Sequence, residues 1–517
     1  MSEFGKVNPW VVAIAVMFAT FMEVLDTTVV NVSLPHIAST MSATTEEATW
    51  ALTSYLVANA IILPMTGWLA SVLGRKRLLM WSTAGFTLAS FLCGIAPNLA
   101  SLVLFRIIQG ATGGALQPLS QAVLLESFKP EDRGRAMGFW GLGIVVAPIL
   151  GPVVGGWLTE NYSWRWVFYI NLPVGVLSLF LTNLFVFDPP YLRRDERGID
   201  YWGMGMLVVG IGALQYVLDK GQTEDWFASR IITTLSVIAA VTLVTLVIHQ
   251  LRSKNPIIDL RVFKQRSYAA GVFLMTVVGF ILYGSLVLLP LMLQSLFGYS
   301  SLEAGKAMAP RGVGSLLMMP IVGILTSKVD PRRLLVLGLL IGGMTTLWLG
   351  ALNLNAGFWD IFWPQFLQGA GMALLFVPLT TVSMAAIARD RMGYATSLFN
   401  LMRNIGGSIG IAITSTILQR HRQAAAARLG EHVTIYDGVT QSLFDQIRGG
   451  LMAGGADAVT ATQRTYAVLH GMVLREASMV SFVMLFRLLG VIFLALIPLV
   501  AIMSRPKAGD VPVAGAH

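Results

Sequence analysis

The sequence predicts an all-helical polytopic membrane protein, and three observations predict it. First, 55% of the 517 residues are hydrophobic against 12% charged, and the mean hydropathy is +0.70, far outside the soluble range. Second, charge-free runs long enough to cross a ~30 Å hydrocarbon layer, which takes ~20 helical residues, recur along the chain. They include 48–74, 78–105, 136–159, 166–187, 231–251, 267–302, 334–359 and 361–388. Third, the runs lack the alternation of barrel strands, and lipid offers no water to unpaired backbone groups, so each span is helical.

Fourteen spans follow, ending near residues 33, 73, 96, 125, 158, 187, 218, 251, 295, 328, 352, 388, 418 and 503. The first starts near Val11 and has no small-residue cleavage site after Asn31–Pro35, so it reads as a retained helix and not a signal peptide. Cys93 is the only cysteine, which leaves no internal disulfide and no cysteine metal cluster. With the amino terminus inside, 22 Lys and Arg fall on the inner side and 10 on the outer, six of these in one long loop after residue 418. Short outer loops therefore carry four, and the positive-inside rule assigns both termini to the cytoplasm. The net charge of +9 is a topology signal and needs no nucleic acid to explain it.

The chain repeats itself. PMTGWLASVLGRKRLLM at 64–80 and PIVGILTSKVDPRRLLV at 320–336 share seven identities in 17 positions, and QGATGGALQPLS at 109–120 matches QGAGMALLFVPLT at 368–380. The expected organisation is a six-helix half over 1–187, two inserted helices with linkers over 188–265, a second six-helix half over 266–503, and a tail over 504–517. The sizeable polar segment, 420–478, reads as short amphipathic helices outside the membrane, either a solvated spacer or a docking surface.

Two carboxylates stand inside the first span, in FMEVLDTTVVNVSLP at 21–35. At 1.5 Å per residue from Val11, Glu23 lies ~18 Å and Asp26 ~22 Å into the layer, too deep to snorkel. Glu23, Thr27 and Asn31 recur at i, i+4 and i+8 with Asp26 beside Glu23, so one polar stripe is expected to face the bundle interior. Burial and mutual repulsion favour the neutral acid, which suits a group that binds and releases protons; the bland alternative is a protonated acid hydrogen-bonded in the bundle. Arg106, in LVLFRIIQG at 102–110, either snorkels outward or turns in beside the acids and drives proton release. In APILGPVVGG at 147–156, Gly151, Gly155 and Gly156 clear one helix face while Pro148 and Pro152 remove backbone donors and bend the axis. In GWLASVLGRKR at 67–77, Arg75, Lys76 and Arg77 can meet helix carboxyl ends and lipid phosphates.

These four stretches resemble the 14-span drug:proton antiporters of the major facilitator superfamily, specifically the EmrB/QacA group, from Val11 to Met503. They match, in order, the first-helix motif, the fourth-helix motif with its buried arginine, the fifth-helix antiporter motif, and the loop motif that latches the cytoplasmic side. NYSWRWVFYINLPVG at 161–175 and SLFNLMRNIGGSIG at 397–410 look like segments typical of the group. The resemblance implies a major facilitator fold of 14 helices in the bacterial inner membrane, with Asp26 as a proton-coupling residue and Arg106 in proton transfer. Glu23 takes a coupling or cation-recognition role on position alone. Thr27, Asn31, Gln109, Asn400 and Arg403 are the candidates for a substrate cavity, and neither Arg403 nor Arg487 has an evident partner. The loop motif keeps Gly67, Gly74, Arg75, Lys76 and Arg77 but has Ser71 where the family has Asp, so the acid of its charge relay is missing.

The function implied is export of amphipathic or hydrophobic toxic compounds by alternating access, driven by the proton gradient with no cofactor. EmrB-like members work with a periplasmic adaptor and an outer-membrane channel in a tripartite pump, whereas QacA-like members act alone. The alternative is a proton-coupled exporter of one metabolite such as a siderophore, fatty acid or amino acid. An enzyme is disfavoured, because only six His are present, His249 is isolated, and neither HExxH nor a P-loop occurs.

Overall fold

Each apolar run becomes a helix of 19 to 39 residues, the length that crossing a hydrocarbon layer demands. The computed structural model describes residues 8–188, 200–253, 255–434 and 436–503, apart from the side chains at 45, 46, 145, 149, 152, 301 and 302. The helices are α1 (Pro9–Thr40), α2 (Trp50–Leu73), α3 (Arg75–Gly94), α4 (Leu99–Ser127), α5 (Arg133–Asn161), α6 (Trp166–Phe185), α7 (Tyr201–Lys220), α8 (Arg230–Arg252), α9 (Arg266–Leu296), α10 (Ser301–Lys328), α11 (Pro331–Leu349), α12 (Phe358–Ala385), α13 (Met392–Gly430), α14 (Gly438–Ala453) and α15 (Ala458–Ala495). Among the described residues 13 are long and apolar enough to span a membrane. The less apolar α3, which opens on Arg75, Lys76 and Arg77, completes the expected fourteen, and α14 lies outside that count. The tails 1–7 and 504–517 and the basic stretch 189–199 fall outside the described residues.

Packing repeats with the sequence. Helix α1 packs on α5 as α9 packs on α13, α2 on α4 as α10 on α12, and α3 on α6 as α11 on α15. The matched segments 64–80 and 320–336 fall at equivalent turns, from α2 into α3 and from α10 into α11. The two groups of helices meet on the side that bears the basic loops. There Gly134 and Gly138 of α5 lie against Thr326, Gly323 and Met319 of α10, and Gly67 of α2 lies against Gly393 and Tyr394 of α13.

The inserted pair bridges both groups. Helix α7 packs on α8, on α2 and on α13. Toward α2, Thr53 donates to Asp219 and Lys220 Nζ donates to Thr49 Oγ1 at 3.0 Å; toward α13, Gln215 Nε2 reaches Ser408 Oγ at 3.0 Å. Ser408 stands in GGSIG, literally the spacing of a nucleophile elbow, but it sits within a long helix and not on a strand-to-helix turn. At the other end Asp200 caps α7 by accepting from the Gly203 N–H at 2.8 Å, and it takes His249 Nε2 at 2.9 Å and Gln250 Nε2 at 2.9 Å from α8. Burial pushes the Asp200 carboxyl up, but the bonds from Gly203, His249 and Gln250 outweigh it and hold the group below the usual carboxylate range.

The segment 420–478 corrects its expectation. In place of short helices, α13 continues unbroken to Gly430 and α15 begins at Ala458, leaving α14 as the separate element. The alanine run in RQAAAARL has the highest helix propensity and no breaker before Gly430, so the membrane helix propagates into water. Its 39 residues make a rod of about 58 Å, nearly twice the hydrocarbon thickness. His421 Nδ1 and Ser481 Oγ, 2.9 Å apart, tie α13 to α15, and the rings of Phe444 and Tyr466, 5.1 Å apart, seat α14 on α15.

Candidate functional site

Four helices converge on Asp26. Its side chain and that of Arg106 are both fully excluded from solvent, and Arg106 Nη1 donates to Asp26 Oδ2 at 2.5 Å. The fourth-helix arginine therefore turns inward; it does not snorkel. The other Asp26 oxygen accepts from Gln109 Nε2 at 2.9 Å and from Asn171 Nδ2 at 2.8 Å. Ser90 Oγ accepts from the same two amides, at 3.2 and 2.9 Å, and donates to the Phe168 carbonyl. Arg106 also donates through Nε to the Ala51 carbonyl at 2.9 Å and through Nη1 to Gln109 Oε1 at 2.7 Å, its Nη2 has no hydrogen-bond partner, and its guanidinium lies 4.1 Å over the Tyr55 ring. The i, i+3 spacing of Arg106 and Gln109 puts both on one face of α4, which is why one helix supplies two of the carboxylate's donors. Such a cluster ties the Asp26 carboxyl to α4 and α6 while excluding water.

The polar stripe expected along α1 holds for only part of its length. Glu23 and Asp26 are buried, Thr27 is half-buried with its hydroxyl turned back on the Val24 carbonyl, and Asn31 is exposed. Each four-residue step turns a helix ~400°, so Asn31 is rotated about 80° from Glu23 and about 140° from Asp26. Gln109 belongs to the Asp26 cluster, and the other candidates on the C-terminal side, Asn400 and Arg403, reach across to α4. Asn400 Nδ2 donates to Gln121 Oε1 at 2.6 Å, and Arg403 Nη2 donates to Gln117 Oε1 at 2.5 Å. Glu23 accepts from Asn59 Nδ2 at 3.0 Å. Arg487 is explained more simply: exposed on α15, it donates through Nε to the Gly350 carbonyl at the end of α11, at 2.7 Å.

The GPVVGG face of α5 packs on α1. A Cβ at Gly151 would stand 2.1 Å from Thr28 Oγ1, and one at Gly155 3.0 Å from the Val29 carbonyl, whereas one at Gly156 would meet only Val32 at 3.9 Å. The Thr28 hydroxyl lies 3.5 Å from the Ala147 carbonyl. Pro148 lies half-buried in a helix that runs unbroken from Arg133 to Asn161; the side chain of Pro152 is outside the described residues.

A family model described as Major Facilitator Superfamily matches residues 16–411. The chain belongs to the major facilitator superfamily. Within it, the chain is 37% identical over 510 residues to the Escherichia coli K12 protein called multidrug export protein EmrB, covering 98% of each. It is 40% identical over 455 residues to the Haemophilus influenzae protein of the same name, covering 87% of this chain and 89% of that one. Fatty acid resistance protein FarB of Neisseria gonorrhoeae is 37% identical over 508 residues, with 97% of each covered. Among solved structures, the human organic anion transporter MFSD10 superposes with a TM-score of 0.60 at 13% identity, covering 94% of this chain and 99% of that one, a likeness of fold. The chain is a transporter of the EmrB type, not an enzyme.

In this superfamily member the loop motif finds its acid elsewhere. Ser71 turns its hydroxyl back on the Trp68 carbonyl, and the buried Arg75 pairs with the buried Glu126 of α4. Arg75 also reaches the Arg389 carbonyl at 3.5 Å, next to α13. The Lys76 N–H donates to Asp188 Oδ1 at 2.9 Å and its Nζ to the Asn183 carbonyl at 2.6 Å, while Arg77 is exposed. Gly74 takes φ +85°, and a Cβ there would strike the Asp188 carboxylate, so glycine is required twice over.

Sequence reasoning missed Ser90, Asn171, Tyr55, Asn59, Gln117, Gln121 and Glu126 as site residues. Asn171 and Gln117 each carried a signal, an amide inside an otherwise apolar span. Ser90 and Tyr55 carried none, because such residues recur throughout these helices.

Proposed function

We propose that this transporter is a proton-coupled multidrug exporter working by alternating access from a bacterial inner membrane, with both termini in the cytoplasm. The supporting observation is the water-excluded Asp26–Arg106 pair, tied by Gln109 and Asn171 at the junction of α1, α3, α4 and α6. Two EmrB relatives at 37% and 40% identity supply the substrate class, multidrug export. A proton on Asp26 removes the charge that holds Arg106, which then keeps the Ala51 carbonyl, Gln109 and the rings of Tyr55 and Phe168. Helices α1 and α4 are thereby released from their shared ion pair, so the protonation state of Asp26 sets which packing is stable. The close approach of α2 to α13 and of α5 to α10 on the basic-loop side is the cytoplasm-closed arrangement of that cycle.

FarB at 37% identity supports a second reading of the cargo, in which fatty acids are exported by the same device. The α13–α14–α15 projection is the surface on which a periplasmic adaptor of a tripartite pump would dock. The test is accumulation of a panel of fluorescent lipophilic dyes in pump-deficient cells, with and without a protonophore. Protonophore-sensitive exclusion that Asp26→Asn abolishes supports proton-coupled export; exclusion that survives the substitution refutes the role of Asp26. Protection against fatty acids alone selects the second reading. Unchanged co-purification with an adaptor after deletion of 425–470 would refute the docking surface.

A further inference from the structure

Glu23 and Arg403 are both buried, at 6% and 5% exposure, on α1 and α13, two helices that pack on the same part of α4, Leu116–Ser127. Each has one satisfied end and one orphan. Glu23 Oε1 takes the Asn59 amide while Oε2 has no partner; Arg403 Nη2 bonds Gln117 while Nε has none. Gln117 stands between them, bonded to Arg403 and in reach of the Glu23 carboxyl, and the charge of Arg403 acts on Glu23 across it. Neither group belongs to the Asp26 cluster, whose oxygens are taken up by Arg106, Gln109 and Asn171.

A buried polar atom without a partner costs free energy, and two of opposite character on either side of Gln117 are expected where a ligand completes them. Residues on α1 and α13 also belong to different halves of the repeat, so a ligand held between them would feel the movement of one half against the other.

We propose that Glu23 and Arg403 form a two-sign recognition pair for amphiphiles: Glu23 Oε2 accepts from the ammonium of a cationic amphiphile, and Arg403 Nε donates to the carboxylate of an anionic one. One site then serves both signs of cargo, because each residue binds one class while Gln117 and Asn59 hold the other residue in place. The pair rests on the export reading and deepens it by naming what the transporter recognises.

The test is binding, so that it stands apart from transport. Full-length protein in phospholipid nanodiscs is titrated by equilibrium dialysis with radiolabelled dodecylammonium and with dodecanoate, a pair matched in chain length, with empty nanodiscs subtracted. Glu23→Gln is expected to weaken dodecylammonium at least about tenfold and leave dodecanoate within about twofold, and Arg403→Gln to do the reverse, as for loss of one charge-assisted bond. Glu23→Asp and Arg403→Lys keep the charges and are expected to retain part of each affinity. Parallel loss of both ligands in either neutral variant, no loss in either, or equal loss in the charge-keeping variants overturns the proposal. Crossed selectivity in nanodiscs together with no extrusion from cells would count against export and leave the pair standing.

Discussion

Arg106 donates to Asp26 at 2.5 Å with neither side chain touching solvent, so among the described residues each charge depends on the other as its ion-pair partner. Removing one partner of such a pair leaves an uncompensated buried ion, at about 3–5 kcal/mol, whereas removing both is far milder. Asp26→Asn is therefore expected to lower thermal stability in detergent sharply, and Asp26→Asn with Arg106→Gln to recover most of it. Transport separates the two roles. Neither variant should extrude dye, because the carboxyl proposed to exchange the proton is gone, and dye exclusion restored in the double variant would show that the pair is structural.

The glycines of α5 differ in what surrounds them, and so should their substitutions. Gly151→Ala drives a methyl to 2.1 Å from the Thr28 hydroxyl, an overpacking of about 1–3 kcal/mol that pushes α5 off α1. Gly156→Ala meets only Val32 at 3.9 Å and gains helix propensity, so it should be neutral or stabilising by up to about 1 kcal/mol. Thermal unfolding and dye exclusion measured on both would check this; equal effects would mean that the glycine face is not a contact surface.

The contrast shows what the sequence could and could not reveal. The helices, the internal repeat and the inward acids follow from hydropathy, self-similarity and the cost of charge in lipid, all of which are written in single residues or short strings. Which glycine of GPVVGG touches a neighbour depends on helix rotation, and no string records that. The same holds for Asn31, which i+8 drift carries off the buried face. Glu126 as the partner of Arg75 was invisible because the two lie 51 positions apart and only packing brings α3 to α4. The projection of α13 was misread because amphipathic patterning identified helices without saying that they continue from the membrane.

Asp200 joins the ends of the inserted helices, and its chemistry sets a sign. Its folded carboxyl titrates below the ordinary value, so it binds fewer protons folded than unfolded in the acid range. Its stabilisation is present above the unfolded value and is lost as pH falls through the folded one. Asp200→Asn should therefore cost less than about 1 kcal/mol at neutral pH, given solvent screening, and nothing once the wild-type carboxyl is protonated. Thermal unfolding of the two proteins from pH 7 down to the acid limit of solubility should converge; a gap that stays constant would place the effect in packing and not in charge.

Gly67 sits where α2 crosses the start of α13, and a Cβ there would lie 2.7 Å from the Tyr394 backbone. Backbone cannot rotate away as a side chain can, so Gly67→Val must separate the two helices or unfold one of them. The neighbouring ties, Arg75 to Glu126 and to the Arg389 carbonyl, lie on the same face and would be strained together. The expected outcome is a folded protein shifted toward the arrangement in which this side is open. Spin labels at the exposed positions Arg77 and Arg391, in a Cys93→Ser background, report it: Gly67→Val should lengthen the distance distribution and Gly67→Ala lengthen it less. An unchanged distribution in a correctly folded Gly67→Val protein would mean that closure is held by α5 and α10 alone, through Gly134 and Gly138 against Thr326 and Met319.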